Sequence, residues 1–300
     1  MPELPEVENL RLLLAPHLIG KKLFKVDLKR KDLRFPLPKN FEERLQGTTI
    51  LQITRRAKYL LFHLDSGQIL VVHLGMTGRL LMDSFKEKEE TSQYRNILGQ
   101  YHFTEGRHVQ HDHVIFYTEN GKTITYNDTR RFGFMVLIEA KLIDRHPLMK
   151  ILGVEPLSED FNNRYLAQLA KGRKADLKSF LMNQRNVAGL GNIYVCEALF
   201  RAGLSPKRIS RTLVDRDGNL KKNARSLVSA VQDVLKEAVE AGGSTLRDFL
   251  KPDGTRGAFQ TKHLVYDREG QPCLHSPCKG VVRRIWQNGR STFYCAHCQR

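Results

Sequence analysis

Residues 273–298 read CLHSPCKGVVRRIWQNGRSTFYCAHC, and they carry the most specific structural signal in the chain. A Cys-x4-Cys pair is followed, after sixteen residues, by a Cys-x2-Cys pair. Two such pairs can place four thiolates tetrahedrally around Zn²⁺. Between the pairs, Asn288-Gly289 separates two strand-like runs, which indicates a β-hairpin with Arg290 near its tip. The sequence therefore predicts a zinc ribbon, with one structural zinc ion bound by Cys273, Cys278, Cys295 and Cys298.

The whole chain is strongly basic. Its 300 residues include 49 Lys and Arg against 32 Asp and Glu, which gives a net charge of +17. This imbalance predicts attraction to a polyanion, either nucleic acid or an anionic membrane. No apolar run approaches the ~20 residues that a membrane span needs, and no signal peptide opens the chain. Nucleic acid is therefore the favoured partner, a cytoplasmic location is expected, and disulfides are disfavoured in the cysteine cluster.

The first 140 residues have the pattern of an antiparallel β-sandwich flanked by an N-terminal helix. Apolar residues at helical spacing predict that helix over residues 5–15, with Pro16 and Gly20 marking its end. Turn formers then separate runs rich in β-branched, aromatic or leucine residues. The predicted strands are residues 23–28, 59–64, 69–74, 113–117, 123–126 and 132–138. The charged stretch at about 84–111 lacks periodicity and is predicted to be an exposed loop or hairpin insertion.

Beyond the sandwich the chain becomes helical, so the predicted fold class is α+β. The predicted divisions are a β-sandwich domain at 1–140, a linker at 141–160, a helical domain at 161–262 and the zinc ribbon at 263–300.

Two features define the helical domain. An apolar stripe from Leu227 to Val239 predicts a helix that ends at Gly242-Gly243. Residues 187–194 lie between two helical segments and contain a Gly-x-Gly turn, after which Asn192 is predicted to cap the next helix. The amino end of such a helix attracts phosphate, although a plain helix-turn-helix junction has the same pattern. Cys196, in that helix, is predicted to be buried.

The chain begins Met1-Pro2-Glu3. A small residue at position 2 favours removal of the initiator methionine, which would leave Pro2 with a free secondary amine. That amine is a nucleophile, and with a sugar aldehyde it forms a charged iminium. The neighbouring Glu3 carboxyl can act as a general acid or base. The alternative interpretation is that the proline only initiates a helix.

These motifs, in this order, resemble the bacterial formamidopyrimidine-DNA glycosylases, which excise oxidised purines from DNA and then cut the strand. The resemblance runs nearly the whole length of the chain. It rests on MPELPEVE at 1–8, RAKY at 56–59, HLGMTG at 73–78, DTRRFG at 128–133, the helix–two-turn–helix segment at 189–197, GGSTLRDF at 242–249 and the terminal zinc ribbon.

The resemblance implies a catalytic role for five residues. Pro2 would attack C1′ of the damaged nucleotide, and Glu3 would move protons at the deoxyribose. The iminium would then drive β- and δ-elimination. Glu6 would support the hydrogen-bond network of the active site, and Lys58 and Arg290 would complete the set.

The resemblance also implies contacts with damaged double-stranded DNA. Four residues would hold phosphates around the lesion: Lys58, Lys178, Asn192 and Arg290. Three would fill the gap left by the flipped nucleotide: Met76, Arg130 and Phe132. The residues alone favour simpler interpretations, with Met76 and Phe132 in the core and Lys58 as a solvated strand residue.

Three features depart from the family pattern. The first cysteine pair has four intervening residues where two are usual. Thr129 takes a place often held by proline, which predicts a less rigid loop around Arg130. The charged insertion at 84–111 is longer than is typical.

Two other functions compete with removal of oxidised purines. A sister family shares Pro2, Glu3 and the zinc ribbon but removes oxidised pyrimidines. The set of Met76, Arg130 and Phe132 favours purine lesions, as does the segment 244–259, which resembles a base-capping loop. A non-catalytic, damage-recognising DNA-binding protein would explain the charge and the zinc, but it would not require Pro2 and Glu3 together. In each case the protein is expected to act as a monomer.

Overall fold

The computed structural model describes residues 2–84, 108–244 and 257–300, which form two compact units. The N-terminal unit comprises Met1–Lys150 and Gly242–Ala258, and the C-terminal unit comprises Ile151–Ala241 and Phe259–Arg300. The α+β class is confirmed, with antiparallel sheets, a helical region and a terminal cysteine ribbon. Most of the predicted insertion at 84–111 and of the predicted base-capping loop at 244–259 lies outside the described residues. The four-part division of the chain stays a prediction.

The N-terminal helix α1 spans Leu4–Leu18 and is longer than predicted. Pro16 lies inside its last turn and does not end it. Proline removes one backbone donor and disfavours helix on its N-terminal side, so it usually terminates a helix. Here Leu14 and Leu18 are both buried in the core on either side of Pro16, and their burial keeps the last turn helical.

Two antiparallel sheets form the rest of the described N-terminal unit, together with the short helices α2 (Phe41–Leu45) and α3 (Pro147–Lys150). The strands are β1 (Leu23–Leu28), β2 (Ile50–Arg56), β3 (Tyr59–Leu64), β4 (Gln68–His73), β5 (Arg79–Ser84), β6 (Asp112–Thr118), β7 (Lys122–Asn127) and β8 (Phe134–Glu139). One sheet has the order β1-β6-β7-β5 and the other β2-β3-β4-β8. Alternate residues of both sheets and one face of α1 bury into a single apolar core, which confirms the predicted sandwich.

Two strands were missed by the sequence analysis. In β2 the pairing with β3 shifts between Ile50 and Gln52, and this bulge disrupts the period-two pattern that marks a half-buried strand. Strand β5 follows the HLGMTG loop directly, and its apolar run is only three residues long (80–82) before the charged stretch begins, which is too short to mark a separate strand. The last predicted strand was set too early, because β8 begins at Phe134 and leaves Phe132 in the preceding loop.

The C-terminal unit contains helices and one hairpin. Its helices are α4 (Asn163–Ala170), α5 (Leu177–Met182), α6 (Asn192–Arg201) and α7 (Ser226–Glu240). The predicted stripe of α7 is buried at Leu227, Val231 and Leu235, while Val239 is only half-buried. The prediction that Asn192 caps α6 is wrong: Gly191 is the N-cap and Asn192 is the first helical residue. The side chain of Asn192 is instead directed to the hairpin, as described below.

The ribbon is the predicted hairpin, formed by β9 (Val282–Gln287) and β10 (Arg290–Cys295). Asn288 and Gly289 connect the strands with φ values of 49° and 72°. Two successive positive φ angles fit a type I′ turn, which Asn-Gly favours. Cys196 is buried, as predicted, and it packs with Val265, Phe293 and Cys295 in a small apolar cluster.

Within the described ranges, no helix is both long and apolar enough to cross a membrane.

Candidate functional site

The start of α1 brings three predicted catalytic residues together. Pro2 directly precedes Glu3, the N-cap of the helix, and is buried, and Glu3 and Glu6 are only 4% and 2% exposed. Glu3 and Glu6 form a capping box, in which the Glu3 amide donates to Glu6 Oε2 at 2.8 Å. The Ser244 amide donates to Glu6 Oε1, also at 2.8 Å. Glu6 therefore fixes both the first turn of α1 and the Gly242–Ser244 segment.

The glycine directly before Ser244 is required by this arrangement. Gly243 has φ +82°, and a Cβ on it would lie 2.9 Å from Glu6 Oε1. A larger residue would displace the carboxylate that holds the chain terminus.

Two adjoining loops carry the predicted gap-filling residues. Met76 lies between β4 and β5, and Arg130 and Phe132 lie between β7 and β8. Met76 and Phe132 are 40% and 41% exposed, so the alternative that they belong to the core is wrong. The Arg130 guanidinium lies 4.6 Å from the centroid of the Phe132 ring. The structure thus presents a cation and two apolar side chains on one surface of the N-terminal unit.

Lys58 lies in the turn between β2 and β3, after Ala57 with φ 52°. It is buried, so the alternative of a solvated strand residue is also wrong. The nearby His73 ring stacks on Phe134 with centroids 5.1 Å apart, and its Nδ1 accepts a hydrogen bond from the Gly75 amide at 3.1 Å. Burial, and then the charges of Lys58 and Arg34, lower the pKa of His73 to about 4. A neutral His73 therefore holds the first residues of the Met76 loop.

Three predicted phosphate-binding residues meet in the C-terminal unit. Lys178 Nζ donates to Ser291 O at 3.0 Å and to Thr292 Oγ1 at 2.6 Å. Asn192 Nδ2 donates to the same Ser291 carbonyl at 3.0 Å. Arg290, the residue before Ser291, is exposed near the hairpin tip. The Lys178 side chain is only 1% exposed, so its hydrogen bonds secure the hairpin that carries Arg290.

The four cysteines of the ribbon have the geometry of a metal site. Their Sγ atoms all lie within 4.8 Å of one another, with Cys273–Cys298 at 3.7 Å and Cys278–Cys295 at 3.8 Å. A tetrahedron of thiolates about 2.3 Å from a Zn²⁺ ion has edges of about 3.8 Å. The Gly280 amide donates to Cys278 Sγ at 3.3 Å and lowers the pKa of that thiol. The longer Cys-x4-Cys loop is therefore compatible with a four-cysteine metal site.

The sequence matches the models of one known protein family over both units. The family model for the formamidopyrimidine-DNA glycosylase N-terminal domain matches residues 1–135, and the model for the H2TH domain of the same enzymes matches residues 152–250. The chain belongs to the formamidopyrimidine-DNA glycosylase family. A formamidopyrimidine-DNA glycosylase from Bradyrhizobium sp. strain BTAi1 is 50% identical over 300 residues, covering 100% of both chains.

Solved structures of formamidopyrimidine-DNA glycosylases are similar to this chain over nearly its whole length. The MutM (Fpg) protein from Thermus thermophilus has a TM-score of 0.80 and 39% identity, covering 99% of this chain and 98% of that one. The Lactococcus lactis Fpg, in a complex with DNA that contains an abasic site, has a TM-score of 0.82 and 28% identity, with 99% of each chain covered.

Sequence reasoning assigned no role to Asp128, His73 or Glu197, although all three lie within the quoted motifs. Asp128 and Glu197 are buried and His73 is half-buried, and each accepts backbone hydrogen bonds that hold a loop. For His73 and Glu197 the available signal was a polar residue inside an otherwise apolar stretch, since a buried polar group is normally retained for its hydrogen bonds. Asp128 lies among polar residues and carries no such signal.

Proposed function

We propose that this chain is a DNA glycosylase of base-excision repair. It removes oxidised purines, such as 8-oxoguanine and formamidopyrimidines, from duplex DNA and then cleaves the abasic site. The observation that carries the proposal is the start of α1, where Pro2, Glu3 and Glu6 are buried together in a chain of this family. A DNA-binding protein without catalysis has no need of an amine and a carboxyl at that place.

The chemistry follows from a free Pro2 amine, formed when Met1 is removed. The nitrogen lone pair attacks C1′, the bond from C1′ to the base breaks, and the base leaves with that electron pair and takes up the proton that the attacking nitrogen loses. The freed nitrogen lone pair is then available to form the C1′–N double bond. Glu3 protonates O4′ as the C1′–O4′ bond opens, which leaves an iminium between C1′ and Pro2. The iminium acidifies the C2′ proton, so β-elimination breaks the 3′ C–O bond, and δ-elimination then breaks the 5′ C–O bond. Glu6 keeps Glu3 in place through the capping box.

The DNA contacts divide between the two units. Lys58, Lys178, Asn192 and Arg290 form the phosphate-binding set around the lesion, with Lys58 and Arg290 nearest to the chemistry. Lys178 and Asn192 also hold the hairpin that presents Arg290, through their hydrogen bonds to Ser291. Met76 and Phe132 fill the gap left by the flipped nucleotide and replace part of its lost stacking. Arg130 hydrogen-bonds the cytosine that has lost its partner. The exposure of Met76, Arg130 and Phe132 supports this assignment.

The metal is zinc, bound by Cys273, Cys278, Cys295 and Cys298. The spacing of the Sγ atoms supports this choice. With four cysteine ligands the ion has no open coordination position, so it stabilises the ribbon over residues 263–300 and takes no part in catalysis. We further propose that the protein acts as a monomer in the bacterial cytoplasm, associated with the nucleoid through DNA binding.

Borohydride trapping tests the mechanism. Intact mass first verifies that Met1 is removed, and the protein is then mixed with a duplex containing 8-oxoguanine opposite cytosine. We expect a covalent protein–DNA adduct, and we expect none from a matched protein whose terminus is blocked by an uncleaved tag, although DNA binding survives. Absence of an adduct with a verified free Pro2 would support the binding-only alternative. Trapping by the tagged protein would refute the amine mechanism.

A second candidate is removal of oxidised pyrimidines, because one solved structure is the Lactococcus lactis Fpg with DNA that contains an oxidised pyrimidine. Parallel excision assays on 8-oxoguanine and thymine-glycol duplexes separate the two functions. We expect faster excision of 8-oxoguanine, and a preference for thymine glycol would overturn our choice.

A further inference from the structure

A buried carboxylate lies beneath the two loops that carry Met76, Arg130 and Phe132. Asp128 follows β7 and is fully buried. Its Oδ1 accepts hydrogen bonds from Thr77 Oγ1 at 2.6 Å and from the Arg130 amide at 3.3 Å. Its Oδ2 accepts hydrogen bonds from the Tyr126 hydroxyl at 3.0 Å and from the Gly133 amide at 2.9 Å. Every described partner of the two oxygens is a donor, which suits an ionised carboxylate, since that group only accepts.

The donors come from both loops. Thr77 follows Met76, while the Arg130 and Gly133 amides flank Phe132 on either side. Thr77 Oγ1 also accepts a hydrogen bond from the Arg130 amide at 3.1 Å, which links the loops directly. Asp128 therefore joins the two loops through one side chain.

The position of Asp128 is itself fixed by strand β6 and the residues before it. Its amide donates to His111 O at 3.0 Å, and its carbonyl is 2.8 Å from His113 Nε2. Burial and the charge of Asp128 raise the pKa of Tyr126 well above its usual range, so the Tyr126 hydroxyl remains a donor.

Glycines pack the loops closely around this carboxylate. A Cβ on Gly133 would collide with the Tyr126 hydroxyl, and a Cβ on Gly75 would collide with the Phe132 backbone. The loops consequently have little space in which to adopt a second arrangement.

We propose that Asp128 is the positioning residue for lesion recognition, which holds Arg130 and Phe132 in register with Met76 through its hydrogen bonds to both loops. The inference rests on the proposed function, because it concerns the residues that replace the flipped nucleotide and contact the opposite base. Asp128 acts through these residues and does not itself contact the DNA.

The substitution Asp128→Asn tests the inference with almost no change in size. An amide has one acceptor oxygen, and its NH2 group is a donor. If the NH2 takes the place of Oδ1, it opposes the Arg130 amide, and if it takes the place of Oδ2, it opposes the Gly133 amide. In the second orientation the buried Gly133 amide loses its acceptor, and in the first the Arg130 amide keeps only Thr77 Oγ1. Either orientation therefore removes a backbone hydrogen bond to residue 128 and loosens one end of the loop.

The measurement is discrimination of the opposite base. Dissociation constants are determined for duplexes that contain a tetrahydrofuran abasic analogue opposite cytosine or adenine, and excision rates are determined for 8-oxoguanine opposite the same bases. We expect Asp128→Asn to lower the preference for cytosine roughly tenfold. In an Arg130→Ala background, Asp128→Asn is expected to change that preference little further, because the carboxylate acts through Arg130.

Two variants keep the test decisive. Tyr126→Phe removes one donor but frees neither loop, so it should retain most of the preference for cytosine. Thr77→Val should lower that preference in the same direction as Asp128→Asn, and it serves in its place if the latter does not fold. If a folded Asp128→Asn or Thr77→Val protein keeps the full preference for cytosine, the inference is overturned. It is also overturned if the losses of preference caused by Asp128→Asn and Arg130→Ala are fully additive in the double variant. If the wild-type protein with a free Pro2 traps no lesion DNA, the proposed function itself fails, and the binding assay still tests the role of Asp128.

Discussion

The two units present their predicted DNA-contacting residues by different means. In the N-terminal unit, the loops of Met76 and Phe132 are held by hydrogen bonds to a buried carboxylate, above the large apolar core of a β-sandwich. In the C-terminal unit, Arg290 lies on a hairpin whose apolar cluster is small and includes the metal-site cysteines Cys273 and Cys295. The first arrangement can form from the polypeptide alone, whereas we expect the second to depend on a metal ion. The following experiments test that difference.

Removal of the metal should have the largest effect, and it should be confined to the hairpin. Chelation, or the substitution Cys295→Ser, is expected to abolish the protection of β9 and β10 from hydrogen exchange, because structural zinc sites contribute on the order of 10 kcal/mol to folding. The protection of β1–β8 should persist. Hydrogen exchange followed by mass spectrometry, with metal content measured on the same samples, gives both results.

Cys196→Ala is the matched control for this experiment. Cys196 is buried beside the ribbon but is not one of the four clustered cysteines, so this variant should keep its metal and its protected hairpin. If β9 and β10 stay protected from hydrogen exchange after verified loss of the metal, the hairpin does not depend on a metal ion and the two units do not differ in this respect.

Acid should weaken the N-terminal unit through His73. The pKa of His73 is about 4 in the folded protein, against 6.5 for an unperturbed histidine, so the unfolded chain takes up the proton first. His73 therefore does not affect the free energy of unfolding well above pH 6.5. As the pH drops toward 4, His73 lowers that free energy, by about 3 kcal/mol at pH 4. Chemical denaturation of the wild type and of His73→Gln from pH 8 to pH 4 measures this loss.

Values at pH 8, where His73 is neutral in both states, correct for any packing effect of the substitution. The difference in stability between the wild type and His73→Gln should then shift in favour of the variant as the pH falls. If that difference stays constant from pH 8 to pH 4, the burial of a neutral histidine beneath the Met76 loop is not what limits acid stability.

The C-terminal unit also contains a buried carboxylate anchor, and a substitution there sharpens the comparison. Glu197 in α6 accepts hydrogen bonds from the amides of Leu264, Val265 and Tyr266 at 2.8–2.9 Å. Glu197→Gln leaves one or two of these amides facing an NH2 group, so we expect a loss of about 2 kcal/mol in the free energy of unfolding. Denaturant titration of the zinc-loaded protein measures it.

Glu237→Gln is the control for Glu197→Gln. Glu237 in α7 pairs with Arg201 in α6, the helix that also carries Glu197. Its side chain is 41% exposed, so its substitution should cost less than about 1 kcal/mol. Equal losses in the two variants would mean that Glu197 is no more than an ordinary polar residue, and that the ribbon is joined to α6 mainly by its apolar cluster.

Features that depend on residues close in sequence could be predicted from the sequence, and features that depend on distant pairing could not. The hairpin turn at Asn288-Gly289 and the limits of β1 and β3 depend on neighbouring residues, and they were predicted correctly. Strand β2 was missed because a bulge, set by its pairing with β3, disrupts its pattern.

The role of Asp128 could not be predicted in the same way. Two of its donors, Thr77 and Tyr126, are 49 residues apart in the sequence and meet at Asp128 only through the pairing of β5 with β7. Asp128 lies among polar residues, and a local pattern cannot identify partners that the sheet brings together. Similarly, the prediction that Asn192 caps α6 used only its neighbours in sequence, whereas its amide is directed to Ser291, 99 residues later.

The smallest expected effect distinguishes how each unit binds DNA. If Arg290 contacts a phosphate, Arg290→Ala should reduce the slope of log affinity against log salt concentration by about 0.9, because one fewer counterion is released. Phe132→Ala should weaken binding to an abasic-analogue duplex while leaving that slope unchanged, because Phe132 contributes stacking and no charge. Salt titrations of both variants and the wild type measure the slopes. An unchanged slope for Arg290→Ala would remove Arg290 from the phosphate-binding set, whereas a changed slope for Phe132→Ala would mean that its ring also positions the guanidinium of Arg130, 4.6 Å from the ring centroid, against the DNA.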